Sequence, residues 1–165
     1  MVASTALTDA ELIELSISNS GWRVERRAGA LVMTAPTGTY TGVRNNELAV
    51  ALAPFAQAHS LVGVDSSGGV RLPDGDAVSA DHAFLRASDW NALDPPEREG
   101  IASIVPVVVI ELVSKSDRHR TTAEKCEHWF EQGVALVIML DPYRRTIRAW
   151  GDVPPDFPDL LAAVQ

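Results

Sequence analysis

The chain has a single cysteine, Cys126, among its 165 residues. One thiol cannot close an internal disulfide or assemble a zinc site of the multi-cysteine kind, so a disulfide-stapled domain and a structural zinc cluster are excluded, and the composition suits a reducing cytoplasm. Positive charge is short as well. Twenty-two acids against fourteen bases leave a formal charge of −8, which argues against broad, non-specific attachment to phosphate backbones. Any basic binding surface has to be local. Nowhere do about eighteen apolar residues run together, and MVASTALTDAELIEL carries no basic stretch ahead of an apolar one, so neither a membrane span nor a signal peptide is expected. What remains is the composition of a soluble globular fold, 46% apolar and 22% charged. That is enough for one domain over residues 1–165 with a single core.

Thr8 or Asp9 can cap a first helix that runs out at Asn19, Ser20 and Gly21. Two strands, 22–26 and 30–34, follow as a hairpin turning at Ala28 and Gly29. Residues 40–59 suit an amphipathic helix that Pro54 should kink or break. The stretches 61–72 and 76–85 predict a second hairpin, with the first strand interrupted at Ser66, Ser67, Gly68 and Gly69. Short helical turns capped at Ser88 and Asp94 lead to VPVVVIELV, residues 105–113, a β-branched run expected at the centre of a sheet with both faces buried. A helix over 121–132 ending at Gly133 and a second apolar strand over 134–140 predict a crossover connection. Residues 146–150 read as an edge strand packed by Ile147 and Ala149. The tail 151–165, with three prolines and three acids but no base, reads as a loosely docked extension.

Glu111 stands out because it lies inside that apolar run. Burying an unpaired carboxylate costs several kcal/mol unless a cation answers it. A strand-end glutamate paired with one arginine is the plain alternative. Asp81, in SADHAFL on a separate strand, is the acid that an adjacent strand end can bring to Glu111, and two such carboxylates suit a hard divalent cation such as Mg²⁺. Asp74 and Asp76, in LPDGD, read instead as turn acids. Only two of the fourteen bases are lysines, Lys115 and Lys125, and both follow Glu111 closely. On the helix over 121–132, Ala123, Cys126, Trp129 and Phe130 form the apolar stripe, and Lys125 sits on its flank, from which the ammonium can reach the end of the preceding strand. An intrahelical pair with a neighbouring glutamate competes with that reading. Cys126 reads as helix packing. The four histidines form no metal-spaced pair, and His82 beside Asp81 is the one to watch.

From about Trp22 to Trp150 the chain resembles the Uma2 family of restriction-endonuclease-like proteins in the PD-(D/E)XK nuclease superfamily. The segments that carry the likeness, in order, are APTGTYTGVRNNEL, VDSSGGVRLPDGDAVSADHAF, DWNALDPPEREGI, VIELVSKSDR, EKCEHWFEQGV and LDPYRRTIRAW. The resemblance implies an α/β fold with a mixed, curved sheet flanked by helices, its nuclease-like core over about 22–150. Asp81 and Glu111 would be the catalytic acids and metal ligands, Lys125 the helix-borne catalytic lysine, Mg²⁺ (or Mn²⁺) the cofactor, DNA the partner and a homodimer the assembly. Glu47, in RNNEL, matches a family acid, although a solvated helix glutamate is the simpler reading. Two departures stand out. Ala80 replaces the proline that usually precedes the first acid, and Val113 occupies the place of the strand lysine in the E-x-K pattern, whose side chain would share a face with the acid.

Two functions from different classes follow. In one, the protein is a Mg²⁺-dependent endonuclease hydrolysing DNA phosphodiester bonds, with Lys115, Arg118, His119 and Arg120 as the local basic cluster for the backbone. In the other it is a catalytically inactive, dimeric scaffold or regulatory protein, favoured by the −8 charge, by Val113 and by the lack of an aromatic-basic stripe.

Overall fold

The computed structural model describes residues 7–115 and 119–164. Helix α1 (Asp9–Ser18) opens with the expected cap, Thr8 and Glu11 forming a reciprocal capping box. Strands β1 (Arg23–Arg27) and β2 (Ala30–Thr34) pair antiparallel across a turn in which Ala28 and Gly29 both have positive φ, at 48° and 73°. Helix α2 (Thr39–Ala58) is continuous through Pro54, so of the expected kink or break the break does not occur. Leu48, Leu52, Phe55 and Ala56 bury one stripe of it in the core, and that packing outweighs the backbone bond that a proline removes.

The second hairpin forms, but it is bent between two sheets. Strand β3 (Leu61–Asp65) pairs with β6 (His82–Arg86), whereas β4 (Val70–Arg71) pairs with β5 (Ala77–Val78). The outer pair joins a five-stranded sheet, and the inner pair joins the first hairpin in a four-stranded one, β2-β1-β5-β4. Asp81 falls in the bend between β5 and β6, where the chain passes from one sheet to the other.

Helices α3 (Ala87–Ala92) and α4 (Pro95–Glu99) are the short turns expected, with Asp94 capping the second while Arg86, not Ser88, precedes the first. Strand β7 (Val108–Leu112) then runs through the middle of the order β3-β6-β7-β8-β9, parallel to β8 (Leu136–Asp141), with α5 (His119–Glu131) as the crossover. The sheet is therefore mixed, as expected, and every residue of β7 and β8 is buried. One face packs Val109, Val113, Val137 and Met139 against Ala123, Cys126 and Trp129 of α5. The other packs Val108, Ile110, Leu112 and Ile138 against α2.

Two expectations for the C-terminal part need correction. Edge strand β9 (Thr146–Trp150) leaves both Ile147, 42% exposed, and Ala149 exposed, because β9 is the outermost strand of its sheet, with β8 on one side only. The 151–165 tail is not loosely docked: it ends in α6 (Leu160–Ala163), where Leu160 is fully buried and Val164 nearly so in the α2-side core. Apolar burial, not the prolines and acids, sets the behaviour of that segment.

Candidate active site

An open cleft of about 880 Å³ lies where the two sheets meet, and Asp81, Glu111 and Lys125 all line it. Each arrives by a different route. The bend between β5 and β6 delivers Asp81, which is held by both carboxylate oxygens: Oδ2 accepts from the Leu112 backbone N–H at 2.8 Å and Oδ1 from Arg23 Nη2 at 2.9 Å. The first bond ties Asp81 to β7 itself. Glu111 shares its face of β7 with Val109 and Val113 and points toward α5, where its Oε1 accepts from Trp129 Nε1 at 2.9 Å and lies 2.7 Å from Lys125 Nζ. Lys125 reaches in from the helix, 11% exposed, and also donates to the Ser79 carbonyl at 2.7 Å. Of the two readings of this lysine, the intrahelical pair does not form. Arg120 takes Glu124 instead.

Burial pushes the Glu111 carboxyl above its ordinary range, and the Asp81 charge adds to the rise while the Lys125 ammonium opposes it. Val113, at the place of a strand lysine, is buried among apolar neighbours on the same face. The ammonium that stands beside Glu111 is thus supplied by α5.

Glu25 was not foreseen. It is fully buried on β1, its Oε1 accepts from the Ser79 N–H at 2.8 Å and lies 3.9 Å from Lys125 Nζ, and its Oε2 pairs with Arg27. The period of a strand held the signal: Arg23, Glu25 and Arg27 alternate onto one face, and three charges on one face of a short strand imply a polar partner surface.

Several other singled-out residues stand apart. Glu47 is half-buried on α2 and does not line the cleft. His82 shares its face of β6 with Phe84, and burial lowers its pKa while the neighbouring Asp81 charge opposes the shift. Cys126 is fully buried on α5, and burial pushes its thiol up, as suits a packing residue. Of the basic cluster, Lys115 is exposed, Arg120 is engaged by Glu124, and Arg118 lies outside the described residues.

Asp74 behaves as a turn acid, its Oδ1 accepting from the Asp76 N–H, whereas Asp76 is buried and its Oδ2 accepts from the Ala28 N–H in the turn of the first hairpin. The fold nevertheless brings His128 of α5 to them. Its Nε2 lies 3.2 Å from Asp74 Oδ2 and 3.4 Å from Asp76 Oδ2, and ligand atoms of the three residues fall within 4.8 Å of one another. Sequence spacing held no sign of this group, which lies outside the lining of the cleft.

Among the described residues no helix is long and apolar enough to cross a membrane. Among curated proteins no relative matches the chain. Its fold is similar to that of a solved structure from Anabaena variabilis described as a "putative nuclease belonging to DUF820". The TM-score is 0.60 at 14% identity, over 86% of this chain and 91% of that one. The Uma2 family model, described as "Putative restriction endonuclease", matches residues 9–156. With that match covering the whole sheet and every residue that lines the Asp81–Glu111–Lys125 cleft, the chain belongs to the Uma2 family.

Proposed function

We propose that the protein is a Mg²⁺-dependent endonuclease, able to use Mn²⁺, that hydrolyses phosphodiester bonds of DNA. The observation that carries this reading is the Lys125 ammonium 2.7 Å from Glu111 Oε1, a lysine beside the second acid despite Val113 on the strand. The donor set suits a hard cation. Asp81 and Glu111 both offer carboxylate oxygens in the lining of an open cleft, with room for the waters that Mg²⁺ keeps. When bound, the cation would lower the pKa of a coordinated water and neutralise charge on the scissile phosphate.

The chain's own residues do the rest. The Leu112 N–H and Arg23 hold Asp81 in one orientation, and Trp129 does the same for Glu111, so the two acids face the substrate without rearranging. Lys125, anchored on the Ser79 carbonyl, is within reach to orient the attacking water or steady the charge that builds on the phosphoryl oxygens. Glu25, behind Lys125, acts as a positioning residue for the ammonium. The single buried Cys126 supports a reducing, cytoplasmic setting.

A second reading, an inactive scaffold, is favoured by the fact that both acids are already ion-paired, Asp81 to Arg23 and Glu111 to Lys125. Cleavage of supercoiled plasmid separates the two. The parent is expected to nick it with Mg²⁺ or Mn²⁺, and Asp81→Asn, which keeps one of the two acceptor oxygens but removes the charge, is expected to lose that activity at least a hundredfold (about 3 kcal/mol). A parent inert on double-stranded, single-stranded and branched DNA with either cation would leave the scaffold.

A further inference from the structure

We propose that the cleft takes unpaired nucleic acid, a single-stranded end or loop, with one base stacked on the indole of Trp22 and the adjacent phosphate directed toward Arg23 and Lys125. This rests on the nuclease reading for the chemistry and goes beyond it in substrate class.

Three of the four tryptophans are already committed. Trp129 is buried and bonded to Glu111, Trp90 has Arg98 over its ring at 5.7 Å, and Trp150 has Arg148 at 4.3 Å. Trp22 is 45% exposed, and among the described residues its ring enters no such contact. It also lines the cleft that holds Asp81, Glu111 and Lys125. Its place is set by a tight turn: Gly21 at φ +91° and a hydrogen bond from the Trp22 N–H to the Asn19 carbonyl at 2.9 Å. A residue with a side chain is strained at that φ. Trp22 stands just before β1, and the next residue, Arg23, carries the ion pair to Asp81. An aromatic face is therefore one residue from the group that holds the first acid.

The cleft lining is mixed in character: charged residues share it with Trp22 and with Ile13 and Ile17 of α1, 37% and 73% exposed. Unpaired nucleotides offer both a phosphate and a free π-face, and stacking on an aromatic side chain tolerates any base. A duplex keeps its bases stacked internally and would leave the apolar part without a partner. Charge points the same way. Duplex tracking needs a long run of cations, whereas among the described residues the cleft lining offers four, Arg23, Arg27, Arg98 and Lys125, enough for a phosphate or two on a chain of net charge −8. A short strand entering the cleft brings few phosphates within a Debye length of the acidic exterior.

The test is binding of a fluorescein-labelled oligothymidylate and of a blunt duplex of equal length, measured by anisotropy in Ca²⁺, with Trp22→Ala, Trp22→Phe and an RNA strand as further arms. The single strand should bind at least tenfold more tightly than the duplex. Trp22→Ala should lose roughly tenfold of that affinity and Trp22→Phe should retain most of it. Equal or tighter duplex binding, no binding of either, or Trp22→Ala binding like the parent would overturn the proposal, and Trp22-dependent binding of the RNA strand would support it, since stacking does not need a deoxyribose. Trp22-dependent single-strand binding by a protein that cuts nothing would sustain this inference and defeat the nuclease reading. Plasmid cleavage at the parent rate by Trp22→Ala, with no single-strand preference, would do the reverse.

Discussion

The two faces of β7 are built by opposite rules from alternate residues of one strand. Toward α2, Val108, Ile110 and Leu112 pack in an apolar cluster, with His82 as a polar neighbour across the strand from Ile110. Such a face needs volume and shape, and a modest change in either is absorbed. Toward α5, Glu111 sits between Val109 and Val113, and its stability depends on named partners, Lys125 and Trp129, at fixed distances. One face is held by area and the other by pairing, so equally small chemical changes on the two should differ severalfold in consequence.

The largest effect is expected for Lys125→Met. With the ammonium gone, the Glu111 carboxylate is buried without its counter-charge, at a cost of about 3–5 kcal/mol, read as a fall in the urea midpoint at pH 8. The loss should shrink with acid. Burial already raises the folded-state pKa of Glu111 from the usual 4.5, and removing Lys125 raises it further. A carboxyl raised on folding adds stability below its unfolded value and loses it as pH rises through the folded one, so the variant should approach the parent as pH falls toward 4.5. A deficit independent of pH would mean that Lys125 matters for packing only. Adding Glu111→Gln to this variant should restore more than half of the loss.

Across the strand, Ile110→Val is expected to cost only about 0.5–1.5 kcal/mol with no pH dependence, although Ile110 is as fully buried as any residue of the sheet. A loss equal to that of Lys125→Met would erase the distinction between the faces. The smallest effect concerns Cys126, one helical step from Lys125 but turned into the core, where burial holds the thiol protonated. It should fail to react with a thiol-specific disulfide reagent until the protein unfolds. Rapid labelling in the native state would show that the α5 face opens to water.

Much of the polar face was legible before any coordinates. Glu111 is conspicuous because a β-branched run of nine residues tolerates no unexplained charge, and a lysine-poor chain with a lysine on the next helix points to its partner. The turn at Ala28 and Gly29, the crossover through α5 and the central place of β7 all follow from local residue chemistry. Pro54 does not break α2, because the local penalty of a proline is smaller than the gain from burying Leu48, Leu52 and Phe55 around it. The tail misled for the same reason, since two buried residues, Leu160 and Val164, decide its docking against a polar average.

What the sequence determined by itself is what acts over a few residues or one period: the capped α1, the amphipathic α5 with Gly133 behind it, the apolar β7 and β8, and the anomaly of Glu111. Tertiary structure alone decided which distant groups meet. The bend that carries one hairpin through two sheets sets Asp81 against the Leu112 N–H, seats Glu25 behind Lys125, turns His128 toward Asp74 and Asp76, and leaves Trp22 open at the mouth of the cleft. Hydrogen bonds and ion pairs act over about 3 Å, and residues many positions apart come that close only when the burial of apolar surface has folded the whole chain around them.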